Sequence, residues 1–426
     1  MKRLALLLAA VLLTGCAAAP PASSDAPSAP QPISSDLLYF GLPLEGYKLA
    51  GQVSENGFFD YFSDYEKNIG FLTRYDFADM TQHILCDKDG CLHADETCDA
   101  YAPGWQVIAM SDAVYTVNYN YAEDGETFTG TQTLMRRDAD GMHPTPVASI
   151  GNWNFFATDE HYLYGFCEEA YGRVDRTNGT ETLLLHDGKS RYYVYGEILG
   201  VWNGQFVVIH WDENPTQGVN LSLLSPEGIE TPLTQLDEIS IYEGIVYPNV
   251  CALFEDKVYY VSNDGMLLCY DLSKGEHREK SSILHTCAKN SSADTWMLYA
   301  LGDRLVVSAF IRPEGSKYAS RHLFALSPPD GPLTELTLME EFREHIETPA
   351  PEEGPIWEPE LIQPLAQING QFLVLNAYQF FQRPFTSSDG TTASYEDHFS
   401  IYALMDPEDY FASRPVYREF SPISNN

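Results

Sequence analysis

Short apolar runs separated by tight polar turns recur from residue 36 to the end of the chain, and no long stretch there has the apolar spacing of an amphipathic helix. Each turn precedes a run of aromatic or β-branched residues, as in Gln205-Phe206-Val207-Val208 after Asn203-Gly204. An Asn-Gly pair between apolar runs is a strong hairpin signal. The pattern therefore predicts an all-β chain of hairpins. The seven predicted hairpin turns are Asn56-Gly57, Ser111-Asp112, Asp159-Glu160, Asn203-Gly204, Glu255-Asp256, Gly302-Asp303 and Asn369-Gly370.

These turns are 44 to 67 residues apart, which is the length of a four-stranded propeller blade. Inside each interval a second apolar strand ends in another polar turn, for example 271–275. Each unit thus contains four antiparallel strands, here named A to D, with tight A–B and C–D turns. We predict a β-propeller of seven four-stranded blades over residues 37–426, because a closed ring leaves only short, protected strand edges. Six or eight blades, or two stacked β domains, remain alternatives. The predicted C–D turns begin at Asp76, Asp138, Asp175, Ser225, Asp271, Ser327 and Asp406.

The first fifteen residues have the pattern of an export signal. Lys2 and Arg3 precede the apolar run 4–13, and small residues follow it. The run is too short for a transmembrane helix, which needs about 20 apolar residues. The sequence therefore predicts a signal peptide over residues 1–15. Residues 16–36 are mostly Ala, Pro and Ser and are predicted to form an extended tether on the order of 60 Å long.

Leu13-Thr14-Gly15-Cys16 resembles the lipobox of bacterial lipoproteins. The resemblance implies that Cys16 becomes the mature N-terminus and carries the lipid, whereas an ordinary signal peptide with a chance cysteine is the alternative. We accordingly expect an extracytoplasmic protein that is anchored to the outer face of the cell membrane through lipidated Cys16. Through this lipid the protein is expected to associate with the membrane.

The chain is strongly acidic, with 25 Lys and Arg against 61 Asp and Glu and a formal net charge of −36. A phosphate backbone would repel such a chain, so nucleic acid is not expected as a partner. Removal of Lys2 and Arg3 with the signal peptide would make the mature chain still more acidic. The charge favours solubility in a crowded envelope, and attraction of cations or basic partners is the second interpretation.

The whole chain resembles uncharacterised Gram-positive lipoproteins whose β-propeller is similar to that of low-density-lipoprotein-receptor-related proteins. The resemblance rests on 13–16, on the repeat 258–265 (Val-Tyr-Tyr-Val-Ser-Asn-Asp-Gly), and on 85–93 (Leu-Cys-Asp-Lys-Asp-Gly-Cys-Leu-His). It implies an extracytoplasmic propeller and no particular activity. The receptor's Tyr-Trp-Thr-Asp blade signature does not occur in this sequence, so the receptor's ligands are not carried over.

The long connections are predicted to gather at one end of the ring. In a four-stranded meander the B–C loops and D–A connections emerge at the same end of every blade, and rigid scaffolds bind ligands on such loops. Exposed aromatic residues among Asp and Glu suit a glycan, a peptide or a protein partner, although the same rings could pack between blades instead. The predicted long B–C loops are 118–131, 210–220, 312–321 and 378–398, and the candidate ligand-binding residues are Tyr119, Tyr121, His210, Trp211, Tyr318, Trp357, Phe380 and Phe381.

Three cysteines and a histidine are crowded into residues 86–98, on the D–A connection after the first blade. A disulfide that pins this loop is one interpretation, since the protein is expected to be exported. Four ligands, Cys86, Cys91, His93 and Cys98, could instead bind zinc, although their C-x4-C-x-H-x4-C spacing is not a standard knuckle. A calcium loop is the third interpretation, in which Asp87, Asp89, Gly90 and Glu96 occupy the third, fifth, sixth and twelfth positions of an EF-hand-type loop whose first ligand position would be Leu85.

The other cysteines are expected to be small buried residues rather than ligands or disulfide partners. Cys251 and Cys269 fall on strands A and C of one blade, where strand B would separate them. Cys167 and Cys287 are placed in the same class.

The sequence contains no nucleophile elbow, no Ser-x-x-Lys and no His-Glu-x-x-His, which makes an enzyme the less favoured class. Paired carboxylates for glycoside hydrolysis are an open alternative, because many acidic residues can pair by chance. The favoured function is a surface-anchored binding or protein-interaction module with an unidentified ligand. The alternative is an extracellular carbohydrate-active enzyme that uses two carboxylates on the loop-rich end.

Overall fold

A computed structural model describes residues 37–40, 51–64, 69–122, 127–167, 170–185, 196–211, 219–236, 239, 250–262, 265–281, 291–314, 319–327, 331–345, 359–386 and 390–423. These residues belong to one compact unit that spans Ser34–Asn426. The predicted signal peptide and the predicted tether lie outside the described residues. No helix among the described residues is both long and apolar enough to cross a membrane.

The described chain forms seven antiparallel four-stranded sheets arranged as the blades of a propeller, as predicted. The strands follow one another in sequence across each blade, so strand A begins a blade and strand D ends it. The first four blades consist of β2 (Val53–Ser54), β3 (Gly57–Asp64), β4 (Ile69–Asp76) and β5 (Thr81–Ile84); β6 (Gly104–Ala109), β7 (Val114–Tyr121), β8 (Phe128–Arg137) and β9 (Thr145–Ile150); β10 (Trp153–Thr158), β11 (Tyr162–Cys167), β12 (Ala170–Asp175) and β13 (Glu181–Leu185); and β14 (Gly196–Trp202), β15 (Gln205–His210), β16 (Val219–Leu224) and β17 (Glu230–Leu236).

The last three blades keep the same order, and blades 6 and 7 contain strands of more than ten residues. Blade 7 also holds the one helix among the described residues, α1 (Pro407–Phe411), at the predicted C–D turn, and a short parallel strand, β26 (Glu341–Arg343), beside its strand B. A separate N-terminal strand is β1 (Leu38–Tyr39). The blade strands are β18 (Cys251–Phe254), β19 (Lys257–Val261), β20 (Leu267–Asp271) and β21 (Glu276–Ser281); β22 (Ser291–Leu301), β23 (Arg304–Pro313), β24 (Ser320–Leu326) and β25 (Leu333–Leu336); and β27 (Pro364–Ile368), β28 (Gln371–Thr386), β29 (Thr392–Met405) and β30 (Arg418–Glu419).

All seven predicted A–B turns join the first two strands of a blade. At two of them the reason for the Asn-Gly pair is visible in the backbone. Asn203 and Gly204 have φ of 49° and 73°, and Asn369 and Gly370 have φ of 49° and 75°. A hairpin turn with two positive φ angles matches the twist of the flanking strands, and Asn and Gly tolerate that conformation best.

The hydrophobic core is divided among the junctions between blades. Seven buried clusters occur in the described chain, and each contains residues from two neighbouring blades. Both faces of a blade are therefore covered, which explains apolar runs such as the fully buried segment 206–209 of β15. Cys251 and Cys269 are buried in two of these junctions, as expected, whereas Cys167 is half-buried. Cys287 lies outside the described residues.

An aromatic cluster closes the ring between blade 7 and blade 1. The fully buried ring of Phe58 stacks on Tyr75 with 4.3 Å between centroids, and Tyr402 and Phe420 pack edge-on against it. The C-terminal segment continues this contact, because the Gln82 amide donates to the Ser421 carbonyl and the Ser421 amide donates to the Met80 carbonyl. The last residues of the chain thus fasten blade 7 to the outer strand of blade 1.

Asp60 lies at the same junction and gives the fold a pH dependence. Burial raises the pKa of Asp60 to about 6, against hydrogen bonds from the Tyr61 amide and the Tyr402 hydroxyl. Between about pH 4 and pH 6 the folded chain therefore holds a proton that the unfolded chain has lost, so rising pH lowers the free energy of unfolding across this window. We expect Asp60→Asn to remove this contribution and to raise the melting temperature at pH 7 relative to wild type.

Melting curves at several pH values between 4 and 8 test this expectation. The matched control is Asp303→Asn, because the side chain of Asp303 is 87% exposed at an A–B turn. If Asp60→Asn kept the same pH slope as wild type and the control, Asp60 would not be the titrating group.

Candidate functional site

The propeller has two different faces, which the strand order defines. The turn face carries the A–B and C–D turns, and the loop face carries the B–C loops and the D–A connections. Strand A lies nearest the ring axis, because the first strands of neighbouring blades contact each other, as β2 does with β6 and β14 does with β18. Any chain paired to the free edge of a strand A therefore lies beside the axis.

The N-terminal strand β1 occupies such an inner edge. It pairs antiparallel with β10, the strand A of blade 3, with Leu38 opposite Thr158 and Tyr39 opposite Ala157. The Tyr39 hydroxyl donates to the Ile198 carbonyl of blade 4 at 2.6 Å, and burial raises the pKa of Tyr39 well above its usual range. Since Thr158 is the last residue of β10 before its A–B turn, the chain enters the ring at the turn face and runs towards the loop face.

The described ligand-binding candidates differ in exposure. Tyr121 is 46% exposed at the loop-face end of β7, and the Tyr119 ring packs edge-on against it and against Phe128. Trp211 is half-buried against the junction of blades 4 and 5. Tyr318 and Trp357 lie outside the described residues.

Two of the candidates are buried, in contrast to the exposure expected for a ligand-binding side chain. His210 is 5% exposed at the end of β15, with Nδ1 lying 3.8 Å from a Glu230 carboxylate oxygen. Phe380 is 2% exposed and packs against the rings of Phe342, His345 and His398. The alternative interpretation, in which these rings pack within the fold, describes both residues correctly.

The expected loop 378–398 is mostly a long hairpin of β28 and β29, which pair from Phe372 opposite Met405 to Thr386 opposite Thr392 with one bulge at Asn376. Phe381 is therefore a half-buried strand residue rather than a loop residue. The hairpin is held at its side by β26, which pairs parallel with 377–379, and by a hydrogen bond of 2.7 Å between His345 Nδ1 and a Glu396 carboxylate oxygen. The size of this segment on the loop face therefore results from strand pairing. The polar residues in the segment had indicated a loop instead.

Two acidic residues, Glu340 and Glu360, are neighbours on the loop face between blades 6 and 7. An antiparallel bridge joins Met339 to Leu361, and the Glu360 amide donates to a Glu340 carboxylate oxygen at 3.2 Å. Burial, together with the nearby charge of Glu360, raises the pKa of Glu340 to about 7. A carboxyl group that keeps its proton near neutral pH can act as a general acid. The sequence did not single out this pair among so many acidic residues.

The cysteine loop forms the most convergent group of side chains in the described chain. The three sulfurs of Cys86, Cys91 and Cys98 and a ring nitrogen of His93 all lie within 4.8 Å of one another. The three thiols are free, and His93 Nδ1 lies 3.3 Å from the Cys98 sulfur. This group is called the Cys3His cluster below.

The environment affects the thiols of the Cys3His cluster differently. Burial raises the pKa of Cys98 to about 12. Burial also acts upward on Cys86, but backbone amides of Lys88 and Asp99 hydrogen bond to its sulfur, and its pKa is lowered. The amides of an irregular loop thus converge on a sulfur and favour its thiolate form.

The loop that carries the cluster is an insertion in the outer strand of blade 1. After β5 the chain leaves the blade, and at 100–102 it returns to pair with 70–72 of β4. Lys88 closes the insertion, with Nζ 2.7 Å from both the Thr97 carbonyl oxygen and an Asp99 carboxylate oxygen. The cluster therefore lies on the outer edge of blade 1, in the loop between the end of β5 and the returning segment 100–102.

Arg137 of blade 2 holds the same insertion from the other side. Its side chain is 1% exposed, and it donates to the carbonyl oxygens of Asp99, Gly141 and Tyr101. Burial lowers the pKa of Arg137 to about 10, which leaves the guanidinium charged at neutral pH. Sequence reasoning missed Arg137 because its partners lie 36 and 38 residues away in the chain.

The position of the cluster differs from the one expected for a D–A connection. Met142 and His143, which follow the C–D turn of blade 2, contact the inserted loop, and His143 Nε2 lies 3.5 Å from an Asp87 carboxylate oxygen. The Cys3His cluster consequently lies at the outer edge between blades 1 and 2, beside a turn-face element, and not on the loop face. Whether it holds a disulfide, zinc or calcium stays a prediction at this point.

No protein-family model and no curated protein sequence matches the chain. Several solved structures resemble it at low identity. A computationally designed protein called Ika8 is 14% identical with a TM-score of 0.40, and the match covers 89% of each chain. Puromycin hydrolase is 13% identical with a TM-score of 0.38; 90% of this chain is covered, but it spans only about half, 54%, of that enzyme. BamB from Moraxella catarrhalis is 13% identical with a TM-score of 0.29 and coverages of 68% and 95%.

Proposed function

We propose that the chain is a lipid-anchored binding propeller that turns its loop face away from the membrane and towards a ligand of the cell envelope or its surroundings. The observation that carries this proposal is the position of β1. Leu38 pairs with Thr158 at the turn face, so β1 begins on that side of the ring. An anchor at Cys16, joined through a tether over residues 16–36, would then hold the turn face nearest the lipid.

The loop face suits binding because of the groups it carries. It combines the exposed ring of Tyr121 with the wide hairpin of β28 and β29 and with the acidic pair Glu340 and Glu360. Aromatic rings stack on sugars and on peptide groups, and carboxylates accept hydrogen bonds from sugar hydroxyls or from basic side chains. The ligand class is therefore a glycan, a peptide or a basic protein segment.

The orientation can be tested on the full chain in liposomes that contain nitroxide-labelled lipid headgroups. A fluorophore is attached at Ile229→Cys, on a C–D turn where the side chain is 65% exposed, or at Tyr121→Cys on the loop face. Because the proposed tether joins the fold on the turn-face side, position 229 approaches the lipid more often than position 121, and we expect stronger quenching at position 229. Wild-type protein treated with the same dye measures labelling of the native cysteines.

Equal quenching at both positions, or stronger quenching at position 121, would contradict the proposed orientation. Loss of membrane association in Cys16→Ser would support the lipid anchor independently. Binding is then measured on glycan and peptide arrays. Tyr121→Ala is expected to weaken the signal at least several-fold, whereas Ile229→Ala on the turn face is expected to leave it unchanged.

A carbohydrate-active enzyme is the second candidate function, and the pair of Glu340 and Glu360 is the observation that favours it. A carboxyl group whose pKa is raised to about 7, near a second carboxyl group, is the kind of pair that glycoside hydrolysis uses. Incubation of the full chain with the same glycans would show turnover that Glu340→Gln abolishes. Binding without turnover would leave the binding module as the function.

A further inference from the structure

We propose that the Cys3His cluster is a structural zinc site, with Cys86, Cys91, His93 and Cys98 as its four ligands. The proposal is independent of the ligand-binding function, since the cluster lies on the outer edge between blades 1 and 2. The chemical types of the four ligands support zinc. Thiolate sulfur and imidazole nitrogen are the donors that zinc takes in closed structural sites, and three sulfurs with one histidine form one of the usual sets.

The geometry of the cluster fits a tetrahedral ion. Zinc bonds of about 2.3 Å to sulfur and about 2.0–2.1 Å to nitrogen place the ligand atoms of a tetrahedron roughly 3.4–3.8 Å apart. The four ligand atoms here all lie within 4.8 Å of one another, so small side-chain rotations would bring them to those separations. His93 already points at the cluster, since its Nδ1 lies 3.3 Å from the Cys98 sulfur.

The surroundings of the cluster also match what a metal-thiolate centre needs. Backbone amides of Lys88 and Asp99 donate to the Cys86 sulfur, and such outer hydrogen bonds orient metal ligands and stabilise their charge. Zinc with three thiolates and one imidazole carries a net charge of −1. Two cationic side chains lie beside Cys98 and could offset this charge, because Lys88 contacts Thr97 and Asp99 and the buried Arg137 donates to the Asp99 carbonyl oxygen.

A disulfide accounts for less of this arrangement. It would join two of the sulfurs and give no role to the third sulfur or to the imidazole, although all four groups converge. A calcium loop is weaker again, because its first ligand position falls on Leu85, which is 3% exposed in a hydrophobic cluster. With four protein ligands the site has no open position, so its role is structural: it holds the inserted loop onto the edge of blades 1 and 2.

The experiment is to measure zinc in the full chain, purified in detergent without added metal, by elemental mass spectrometry. We expect about one zinc per chain in wild type and in the control Cys167→Ser, which changes a half-buried cysteine outside the cluster. Cys91→Ser is expected to lose at least nine-tenths of the zinc. His93→Ala should lower zinc affinity by at least 10-fold, whereas His93→Cys, which supplies a fourth sulfur, should retain the metal.

A second measurement keeps the proposal falsifiable if a variant fails to fold. Wild-type protein is denatured with a chelator and alkylated, and the peptides that contain residues 86–98 are weighed. Zinc predicts three alkylated cysteines in this segment and release of the metal on denaturation. A segment lighter by two hydrogens in metal-free protein would overturn the proposal in favour of a disulfide. Equal zinc contents in wild type and Cys91→Ser would also overturn it.

Discussion

Replacing Arg137 with methionine is expected to lower the free energy of unfolding by about 3–5 kcal/mol. The change removes a charged group that donates to three carbonyl oxygens, those of Asp99, Gly141 and Tyr101, and buried acceptors without a donor each cost about 1–3 kcal/mol. Methionine fills much of the same space. The decrease in the free energy of unfolding therefore measures mainly the lost hydrogen bonds and only to a small extent a cavity. Part of the cost will be recovered if the inserted loop detaches and exposes its carbonyl groups to water.

The adjacent residue provides a matched control for this prediction. Arg136 is exposed and makes one long contact, 3.5 Å from its guanidinium to the Asp112 carbonyl oxygen. Arg136→Met should therefore change stability by no more than about 0.5 kcal/mol. Urea unfolding followed by tryptophan fluorescence gives both values. Equal midpoints for the two variants would show that Arg137 does not hold the loop.

Replacing Arg137 is also expected to loosen the inserted loop locally, which hydrogen exchange can detect. If Arg137 holds residues 99–101 against blade 2, its loss should increase hydrogen exchange at the backbone amides of the inserted loop before the rest of the chain is affected. Exchange in blades 4 and 5 should remain at the wild-type level. Uniform acceleration along the chain would indicate general destabilisation instead.

Replacing Phe58 with alanine is expected to lower the free energy of unfolding by about 3–5 kcal/mol, because it empties a fully buried aromatic site. The ring stacks on Tyr75 and meets the edges of Tyr402 and Phe420, so the variant loses contacts to both the first and the last blade. Few of these contacts are local in sequence. The loss should therefore appear mainly as weaker closure of the ring.

Phe128→Ala is the matched control, since Phe128 is 37% exposed on the loop face and packs chiefly on Tyr119. We expect it to shift the urea midpoint only slightly. Protease cleavage near the C-terminus should become faster in Phe58→Ala and stay at the wild-type rate in Phe128→Ala. A Phe58→Ala midpoint no lower than that of the control would contradict the assignment of this cluster to ring closure.

The turns and strands of the blades could be predicted from the sequence because their signals are local. Asn203-Gly204 and Asn369-Gly370 specify two-residue turns by their backbone preferences, and the apolar run after each turn specifies a strand. Repetition of that unit at blade-length intervals then determines the blade number, since each unit can bury its faces only against the next one. The seventh C–D turn differs, because α1 occupies the position predicted for a plain turn.

Exposure was harder to predict than strand position. Phe380 lies in a polar stretch that the sequence assigns to a loop. Its ring is nevertheless buried against Phe342 and His345 of the preceding connection and against His398 of β29. The partner strand β26 belongs to the preceding connection and pairs in parallel, which no hairpin pattern signals. Burial at this position therefore depends on a contact between segments that are distant in sequence.

The sequence by itself determined the all-β class, the seven blades, their turns, and the crowding of Cys86, Cys91, His93 and Cys98 in one loop. Only the tertiary structure decided where that loop lies and how its four side chains meet, because residues 100–102 return to β4 and Arg137 reaches the loop from blade 2. It also decided that β1 enters the ring from the turn face. Turn preferences and strand periodicity act over a few neighbouring residues, whereas these placements depend on pairing between segments that the sequence separates widely.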